Sequence, residues 1–298
     1  LELQPDDPHI LSNIAVILSD QGKPDEAIVY YQRAVAADPN RLVIQCRLLH
    51  QMLHIGDWSE YQTRYQQMMV LFHREPQLAS PFIFLTLPVS PEDYKKCAEL
   101  TIQYTTPVRD NLSARRRYAT NPDRLKIGYL SFDYREHPCG YVAADLFPHH
   151  DRSQVEVIAY SLSPADDGTV RKRVVAGCDQ FVDLHPLDHQ AAAQRILDDG
   201  VHILVEMNGF TQGARPTIPA LRPAPIQVSW QGTVGTMGAP FIDYCLIDYF
   251  GAPPGCESQF SEKLVRLPYH LHSRRTAAQT TPTRQECGLP EEGFIFVC

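Results

Sequence analysis

Two side chains that could work as an acid–base pair, Asp133 and His137, follow directly after an apolar run at residues 127–132. A carboxylate and an imidazole four residues apart can hold each other in the orientation that general acid or base catalysis requires. The alternative is structural, with Asp133 capping the next helix and His137 as a solvated loop residue. The residues alone leave both interpretations open.

A second polar loop, residues 206–215, contains the dipeptide Asn208-Gly209. This dipeptide favours a tight backbone turn beside a ligand, and Arg215 can pair with a phosphate or a carboxylate. A purely structural turn is the competing interpretation. His202, just before the preceding apolar run, is a further candidate for the cleft, although a histidine at the start of a strand is more often packed than catalytic.

A third loop, residues 230–238, places glycines at three-residue intervals with threonines between them. Such a loop exposes backbone N–H groups and hydroxyls, which an anion or nucleotide site requires. Its spacing matches neither the Gly-x-Gly-x-x-Gly nor the Walker A pattern. In this loop we mark Gln231, Gly232, Gly235 and Thr236 as candidate ligand contacts.

The composition restricts the classes of partner. A formal charge of −8 and a pI near 5.8 argue against a nucleic-acid surface, so the arginine run at 115–117 is expected to be a solvated linker. No apolar run reaches transmembrane length. The eight cysteines form no Cys-x-x-Cys pair, and neither His149-His150 nor His270-x-His272 has convincing metal-ligand spacing. We expect a cytoplasmic protein that binds no metal, nucleic acid or membrane.

From residue 126 onward, apolar runs of strand length alternate with amphipathic segments, which predicts βαβ units and a parallel sheet. The expected strands cover residues 127–132, 155–162, 180–184, 203–207, 226–230 and 244–247. The expected helices include residues 142–150, 168–176 and 189–199. The three polar loops each follow a strand, and ligands of open α/β sheets bind at the carboxyl ends of the strands.

The first part of the chain has an internal period of 34 residues, visible in Gly22 and Gly56 and in Tyr31 and Tyr65. This period is typical of the helix-turn-helix tetratricopeptide repeat. We expect four segments: the end of a longer repeat array at 1–74, a helical and linker transition at 75–123, a Rossmann-like lobe at 124–285, and the start of a truncated second lobe at 286–298, with a strand from residue 294.

The order of motifs resembles the protein O-GlcNAc transferase family, including its bacterial and SPINDLY-like members. Tetratricopeptide repeats lead into Ile-Gly-Tyr-x-Ser-x-Asp-x-x-x-His-Pro, and further matching motifs follow in the family's order. These motifs lie at residues 127–138, 199–205, 207–215, 221–227, 230–232, 235–238 and 261–264. The resemblance covers nearly the whole chain.

The resemblance implies an α-solenoid of repeats followed by the amino-terminal half of a GT-B glycosyltransferase. It further implies an inverting, metal-independent transfer of GlcNAc from UDP-GlcNAc to Ser or Thr hydroxyls of proteins, with no cofactor. Protein acceptors are expected to bind through the repeat groove. The chain is expected to lack the second lobe and therefore to be inactive by itself.

Two groups of residues correspond to functional positions of the family. Asp133 and His137 match its active-site aspartate and histidine, and either of them can be the base. Pro138, Cys139, Gln231 and Gly232 match its donor-side positions. From the loops themselves, Gly235 and Thr236 are added to donor binding, and Asn208, Gly209, Arg215 and His202 are assigned to the cleft.

Five positions depart from the animal members of the family. Gln231 and Cys139 replace Leu and Thr, Glu136 replaces Asn, Tyr141 replaces a second histidine and Val234 replaces proline. Because these positions lie on the donor side, a fucosyl- or glucosyltransferase of the same fold remains an alternative. A non-catalytic repeat scaffold for protein binding is the other.

Overall fold

The computed structural model describes residues 6–106, 111–118, 122–268 and 282–295. His270 and His272 lie outside these ranges, as do the last three residues of the strand expected from residue 294.

Two helix pairs form the amino-terminal part of the chain. They are α1 (Pro8–Asp20), α2 (Pro24–Ala37), α3 (Leu42–His54) and α4 (Tyr61–Arg74). Gly22 and Gly56 have φ of +72° and +74°, so the same left-handed turn joins the helices of each pair. Ala15 and Ala27 are fully buried in the core that α1 and α2 share. The small residues of the repeat pattern therefore allow the close helix approach that the sequence predicts.

Two further helices, α5 (Pro81–Phe84) and α6 (Pro91–Thr105), connect the repeats to the rest of the chain. The Ser90 hydroxyl caps α6 by accepting from the Asp93 N–H. On α6, the Lys95 ammonium donates to the Ser258 carbonyl at 2.9 Å, and Glu99 accepts from the Ser261 hydroxyl at 2.8 Å. These long-range bonds fasten α6 to the following lobe.

The lobe is built on seven parallel strands. They are β1 (Leu125–Ser131), β2 (Val155–Ser161), β3 (Gln180–Asp183), β4 (Ile203–Glu206), β5 (Ile226–Ser229), β6 (Tyr244–Asp248) and β7 (Lys263–Leu267). The intervening helices are α7 (Pro138–Leu146), α8 (Thr169–Gly177), α9 (His189–Asp199) and α10 (Thr217–Ala220). The strand order is β3-β2-β1-β4-β5-β6-β7, which confirms the predicted parallel sheet.

Both faces of the sheet are covered, as parallel sheets require. Leu130 of β1 packs into a core with Ile158 and Ile196 on one face, while the neighbouring Tyr129 packs with Phe147 on the other. Alternation of side chains along the strand sends successive residues to opposite faces. The near-continuous apolar run that predicted this strand follows directly from this double burial.

The structure differs from the sequence prediction at two elements. It adds β7, an outermost strand whose partly exposed side chains give a weak apolar signal. It also begins the helix after β1 at Pro138 rather than at residue 142. Proline suits the first turn of a helix and His137 supplies the cap, whereas Gly140 makes the segment look like loop in the sequence.

Part of the expected linker is tied into the lobe. Leu112 is buried in the core beside Ile218, and its N–H donates to the Leu221 carbonyl at 3.0 Å. The Arg116 guanidinium donates to the Leu197 carbonyl at 2.8 Å, at the carboxyl end of α9. Arg116 is exposed, as expected for the arginine run, but its side chain also satisfies carbonyl groups at a helix end.

We expect Gly238→Ala to loosen α6 from the lobe. Gly238 has φ of +59°, and a Cβ there would lie 2.4 Å from the Glu99 backbone nitrogen. Gly56→Ala is the matched control, because Gly56 also has a positive φ but a Cβ there would have nothing within 4 Å. Backbone strain costs about 1 kcal/mol in both variants, and overpacking adds about 1–3 kcal/mol in Gly238→Ala alone. Urea denaturation measures the difference, and equal losses would contradict close packing of α6.

Candidate active site

The candidate site lies where the strand order of the sheet reverses. β1 pairs with β2 on one side and with β4 on the other, so the chain winds in opposite directions from β1. In doubly wound sheets the crevice at this switch point, at the carboxyl ends of the strands, is where ligands bind. The loops that follow β1 and β4 meet there. They carry Asp133 and Asn208 respectively.

Asp133 is almost fully buried and each carboxylate oxygen has a partner. Its Oδ1 accepts from the Arg135 guanidinium at 3.2 Å, and its Oδ2 accepts from the Asn208 amide at 3.0 Å. The Asp133 N–H donates to the Ser131 hydroxyl at 3.0 Å. Such contacts fix both the rotamer and the charge environment of the carboxylate. The structure therefore brings together the loops after β1 and β4 around one carboxyl group.

His137 stands beside this carboxylate as the cap of α7. Its Nδ1 accepts from the Cys139 N–H at 3.3 Å and lies 3.8 Å from Asp133 Oδ2. The separation from Asp133 exceeds a hydrogen bond, so the two groups are close neighbours rather than a directly bonded pair. Because Nδ1 accepts a hydrogen bond, a neutral His137 carries its proton on Nε2.

The loop after β4 is held by a buried carboxyl group that the sequence prediction did not include. Glu206 Oε1 accepts from the Asn208 N–H at 3.0 Å, and Oε2 accepts from the Gly209 N–H at 2.8 Å. Burial raises the pKa of Glu206 to about 7, against the lowering effect of these two hydrogen bonds. The available signal was a glutamate directly ending an apolar strand, where a buried side chain is expected.

The third loop packs tightly on the second. A Cβ on Gly232 would lie 2.2 Å from the Asn208 carbonyl carbon, and one on Gly209 would lie 1.5 Å from Thr233 Oγ1. Gln231 has φ of +77°, a strained value for a residue with a side chain. The glycines at 209 and 232 thus let two backbones approach beside Asp133, and the strained Gln231 lies next to them.

The amino end of α7 completes this edge of the sheet. Pro138 is its first residue, and a Cβ on Gly140 would meet the Arg135 carbonyl oxygen at 2.3 Å. Burial raises the pKa of the Cys139 thiol to about 11, with Asp133 and Glu206 adding to the effect. This thiol is therefore protonated at neutral pH and is a weak nucleophile.

Three predicted site residues have other roles in the structure. His202 lies at the amino end of β4, where its Nδ1 accepts from the Lys126 N–H at 3.0 Å, at the edge of the sheet opposite to Asp133. The Arg215 guanidinium donates to the Leu184 and Leu187 carbonyls. The buried Thr236 hydroxyl donates to Glu262 at 2.6 Å. Local backbone and carboxyl partners thus engage all three groups, although Arg215 also lines a cavity at this edge of the sheet.

Gly235 also has a packing role. A Cβ at this position would lie 2.5 Å from the ring of Tyr94 on α6. The spacing of glycines in the third loop therefore reflects two separate close approaches, Gly232 to the loop after β4 and Gly235 to α6. From the sequence alone, the same glycine spacing can be interpreted as an anion or nucleotide site.

The structure adds two functional groups to the predicted set, Arg135 and Glu206. Arg135 stacks over the Phe132 ring at 5.1 Å, and its guanidinium forms an ion pair with Asp133. Asp133, His137 and Cys139 also form a group of potential metal ligands within 4.8 Å of one another in the described part of the chain. The protonated thiol and the neighbouring guanidinium oppose binding of a cation there.

A cavity of about 460 Å³ adjoins the site on the β3 side. Its lining includes Phe132, His185, His189, Gly213 and Arg215. It opens at the carboxyl edge of the sheet, next to the loop that carries Asp133. Space for a ligand therefore exists at this edge of the sheet, next to Phe132, the residue before Asp133.

A buried carboxylate at the switch point of a parallel sheet, flanked by glycine-rich loops, is where α/β proteins commonly bind a ligand. The family description Glycosyl transferase family 41 matches residues 55–273, and Tetratricopeptide repeat matches residues 9–41. The chain belongs to glycosyl transferase family 41. The recognition of an O-GlcNAc-transferase-type protein from its motifs is confirmed.

Curated relatives share sequence with half or more of this chain. The chain is 40% identical over 183 residues to the probable UDP-N-acetylglucosamine peptide N-acetylglucosaminyltransferase SEC of Arabidopsis thaliana, covering 59% of this chain and 19% of that protein. It is 44% identical over 150 residues to the UDP-N-acetylglucosamine peptide N-acetylglucosaminyltransferase of Caenorhabditis elegans, covering 50% and 13% respectively. The chain thus spans less than a fifth of the length of these relatives.

A solved structure shares the fold. A mutant O-GlcNAc transferase of Thermobaculum terrenum superposes with a TM-score of 0.71 at 27% identity, covering 90% of this chain and 52% of that one. The predicted class, a repeat solenoid followed by a GT-B-type Rossmann-like lobe, is confirmed. Among the described residues, no helix combines the length and hydropathy needed to cross a bilayer.

Proposed function

We propose that this chain belongs to a protein O-GlcNAc transferase that moves GlcNAc from UDP-GlcNAc to Ser or Thr hydroxyls of proteins. The observation that carries the proposal is the position of Asp133. It is buried at the switch point of the sheet and is oriented by Arg135 and Asn208, within the region that matches glycosyl transferase family 41. The relatives named above support UDP-GlcNAc as the donor.

In the proposed reaction the acceptor hydroxyl oxygen attacks the anomeric carbon as the bond from that carbon to the diphosphate oxygen breaks. UDP leaves with the bonding electron pair, and attack from the opposite face inverts the anomeric centre. Asp133 orients the hydroxyl and takes or relays its proton, and His137 lies close enough to share this task. Arg135 offsets the charge of Asp133.

The donor is held by backbone rather than by a metal in this proposal. The amino end of α7, at Pro138 and Cys139, presents the positive end of a helix dipole toward the diphosphate. Gly232 allows close approach of the third loop, and Gln231 lies at a donor-side position of the family. The protein needs no cofactor, and the Asp133, His137 and Cys139 group binds no catalytic cation.

The repeats recruit the protein acceptor in this proposal, and the enzyme works in the cytoplasm. The tetratricopeptide match covers α1 and α2 and supports a protein-binding role for the repeats. Neither nucleic acid nor membrane is a partner, consistent with the formal charge of −8.

The test is transfer of labelled sugar by the full-length gene product, incubated with an acceptor lysate and a panel of UDP- and GDP-sugars. We expect label from UDP-GlcNAc, β-linked product by NMR, and undiminished rates after EDTA treatment. Label from GDP-fucose or UDP-glucose alone would favour the alternative donors that Gln231 and Cys139 permit. Absence of label from every donor would favour a scaffold.

We expect the 298-residue chain alone to transfer no sugar, because it covers 52% of the related transferase structure.

A further inference from the structure

Glu206 holds the turn after β4 through both of its carboxyl oxygens. Its side chain is almost fully buried, and the Asn208 and Gly209 N–H groups each donate to a different oxygen, at 3.0 Å and 2.8 Å. Two acceptor atoms on one planar group fix the orientation of the two successive peptide units. A carboxylate meets this requirement, whereas an amide would direct an NH₂ group at one of the N–H donors.

The turn then fixes the loop after β1. The Asn208 side chain is fully buried, with its Oδ1 accepting from the Phe132 N–H at 2.8 Å. Its Nδ2 donates to Asp133 Oδ2 at 3.0 Å. Because the same amide group contacts both the backbone before Asp133 and its carboxylate, a rotation of Asn208 disturbs both contacts. Glu206 therefore acts on Asp133 through one intervening residue.

We propose that Glu206 is a positioning residue for sugar transfer, holding Asn208 so that Asp133 keeps its orientation toward the acceptor hydroxyl. This inference rests on the proposed function, since it assumes that Asp133 meets the acceptor. Glu206 itself touches neither donor nor acceptor in this scheme. Its contribution is the geometry of the carboxylate two hydrogen bonds away.

The environment of Glu206 makes this arrangement sensitive to pH. Burial raises its pKa to about 7, so the carboxyl group changes charge near neutrality. On its own sheet Leu130 of β1 and Ser229 of β5 are its uncharged partners. The Cys139 thiol on α7 interacts electrostatically with Glu206, and Asp133 with its Arg135 lies beyond Asn208. The protonated form has a hydroxyl in place of one acceptor oxygen, which weakens one of the two bonds to the turn.

The kinetic test compares Glu206→Gln with Glu262→Gln in the full-length gene product. Glu262 is a matched control, because it is also buried and also accepts from two donors, Thr236 Oγ1 and the Met237 N–H. We expect Glu206→Gln to lower kcat by about 10- to 100-fold, since small misplacements of a catalytic group cost that much. The KM for UDP-GlcNAc should change far less. Because ionised Glu206 makes both bonds to the turn, kcat of the wild type should rise as pH increases through 7. This rise should disappear in Glu206→Gln and persist in Glu262→Gln.

A wild-type kcat and pH profile in Glu206→Gln would overturn the inference.

The crystal structure of the 298-residue chain at pH 5.5 and 8.5 tests the same geometry without a substitution and without an activity measurement. We expect the Asn208 to Asp133 contact to lengthen at low pH, and an unchanged contact would contradict the proposal. Failure of wild-type protein to use any sugar nucleotide would overturn the proposed function, and with it the positioning role of Glu206 in sugar transfer.

Discussion

Asp133→Asn is expected to lower kcat of the full-length transferase by about 10²- to 10⁴-fold, the range typical for loss of a general acid or base. Asparagine keeps the shape of the side chain and can still accept from the Asn208 amide through its Oδ1. It removes the negative charge that faces Arg135 and the proton acceptor that faces the substrate. Initial rates with saturating UDP-GlcNAc measure the loss, and the KM for the donor should change little.

Asp183→Asn is the matched control for this substitution. Asp183 also ends a strand of the sheet, β3, but its side chain is exposed and accepts from the His185 N–H at 2.9 Å. We expect this variant to retain the wild-type rate, because the exposed Asp183 is neither at the switch point nor among the residues that line the cavity. A rate for Asp133→Asn within about threefold of wild type, less than 1 kcal/mol in the barrier, would remove Asp133 from the chemistry.

His137→Ala distinguishes the two candidates for the base. His137 Nδ1 is already an acceptor for the Cys139 N–H and lies 3.8 Å from Asp133, so the structure gives Asp133 the more central position. We expect a smaller loss of kcat for His137→Ala than for Asp133→Asn. A larger loss of kcat in His137→Ala than in Asp133→Asn would assign the base to the histidine.

The parts of the fold with strong local signals were predictable from sequence. The apolar run of β1 arises because the strand is buried on both faces of the sheet, and the 34-residue period arises because each repeat packs in the same way. The strand β7 was missed because an outermost strand with partly exposed side chains leaves little hydrophobic pattern. The start of α7 was missed because Gly140 within the helix is required by contact with the preceding loop.

The candidate site was predictable in location more than in detail. Asp133 and Asn208 were both selected from loops that follow strands, and the sheet brings them to 3.0 Å. Residue type alone could not show that Arg215 and Thr236 are engaged by local partners, since those bonds depend on tertiary contacts. The position of Glu206 at the end of an apolar strand predicts burial, but its two bonds to the turn at Asn208 and Gly209 depend on how that turn folds back.

The free energy of unfolding is expected to fall as pH rises from 4.5 to 7 because of Glu206. Its unfolded pKa is the ordinary 4.5, and burial raises the folded pKa to about 7. Between these values the folded state binds more protons than the unfolded state, so stability decreases with pH and levels off above pH 7. The shift corresponds to ~3 kcal/mol at most for this fully buried group. Urea denaturation of the 298-residue chain across this range, compared with Glu206→Gln, isolates the effect.

Glu136→Gln provides a control of opposite sign. Hydrogen bonds from Tyr141 and Thr169 lower the pKa of the exposed Glu136, so its contribution is present above pH 4.5 and is lost as pH falls. The stability difference between wild type and Glu206→Gln should therefore decline with pH, whereas that between wild type and Glu136→Gln should increase.

All other titrating groups are common to each pair. Parallel curves of stability against pH for wild type and Glu206→Gln would therefore mean that Glu206 is already ionised in the folded protein below pH 7. The pH-dependent part of its positioning role would then be excluded, while the effect of the substitution on Asp133 would still be measured by kcat.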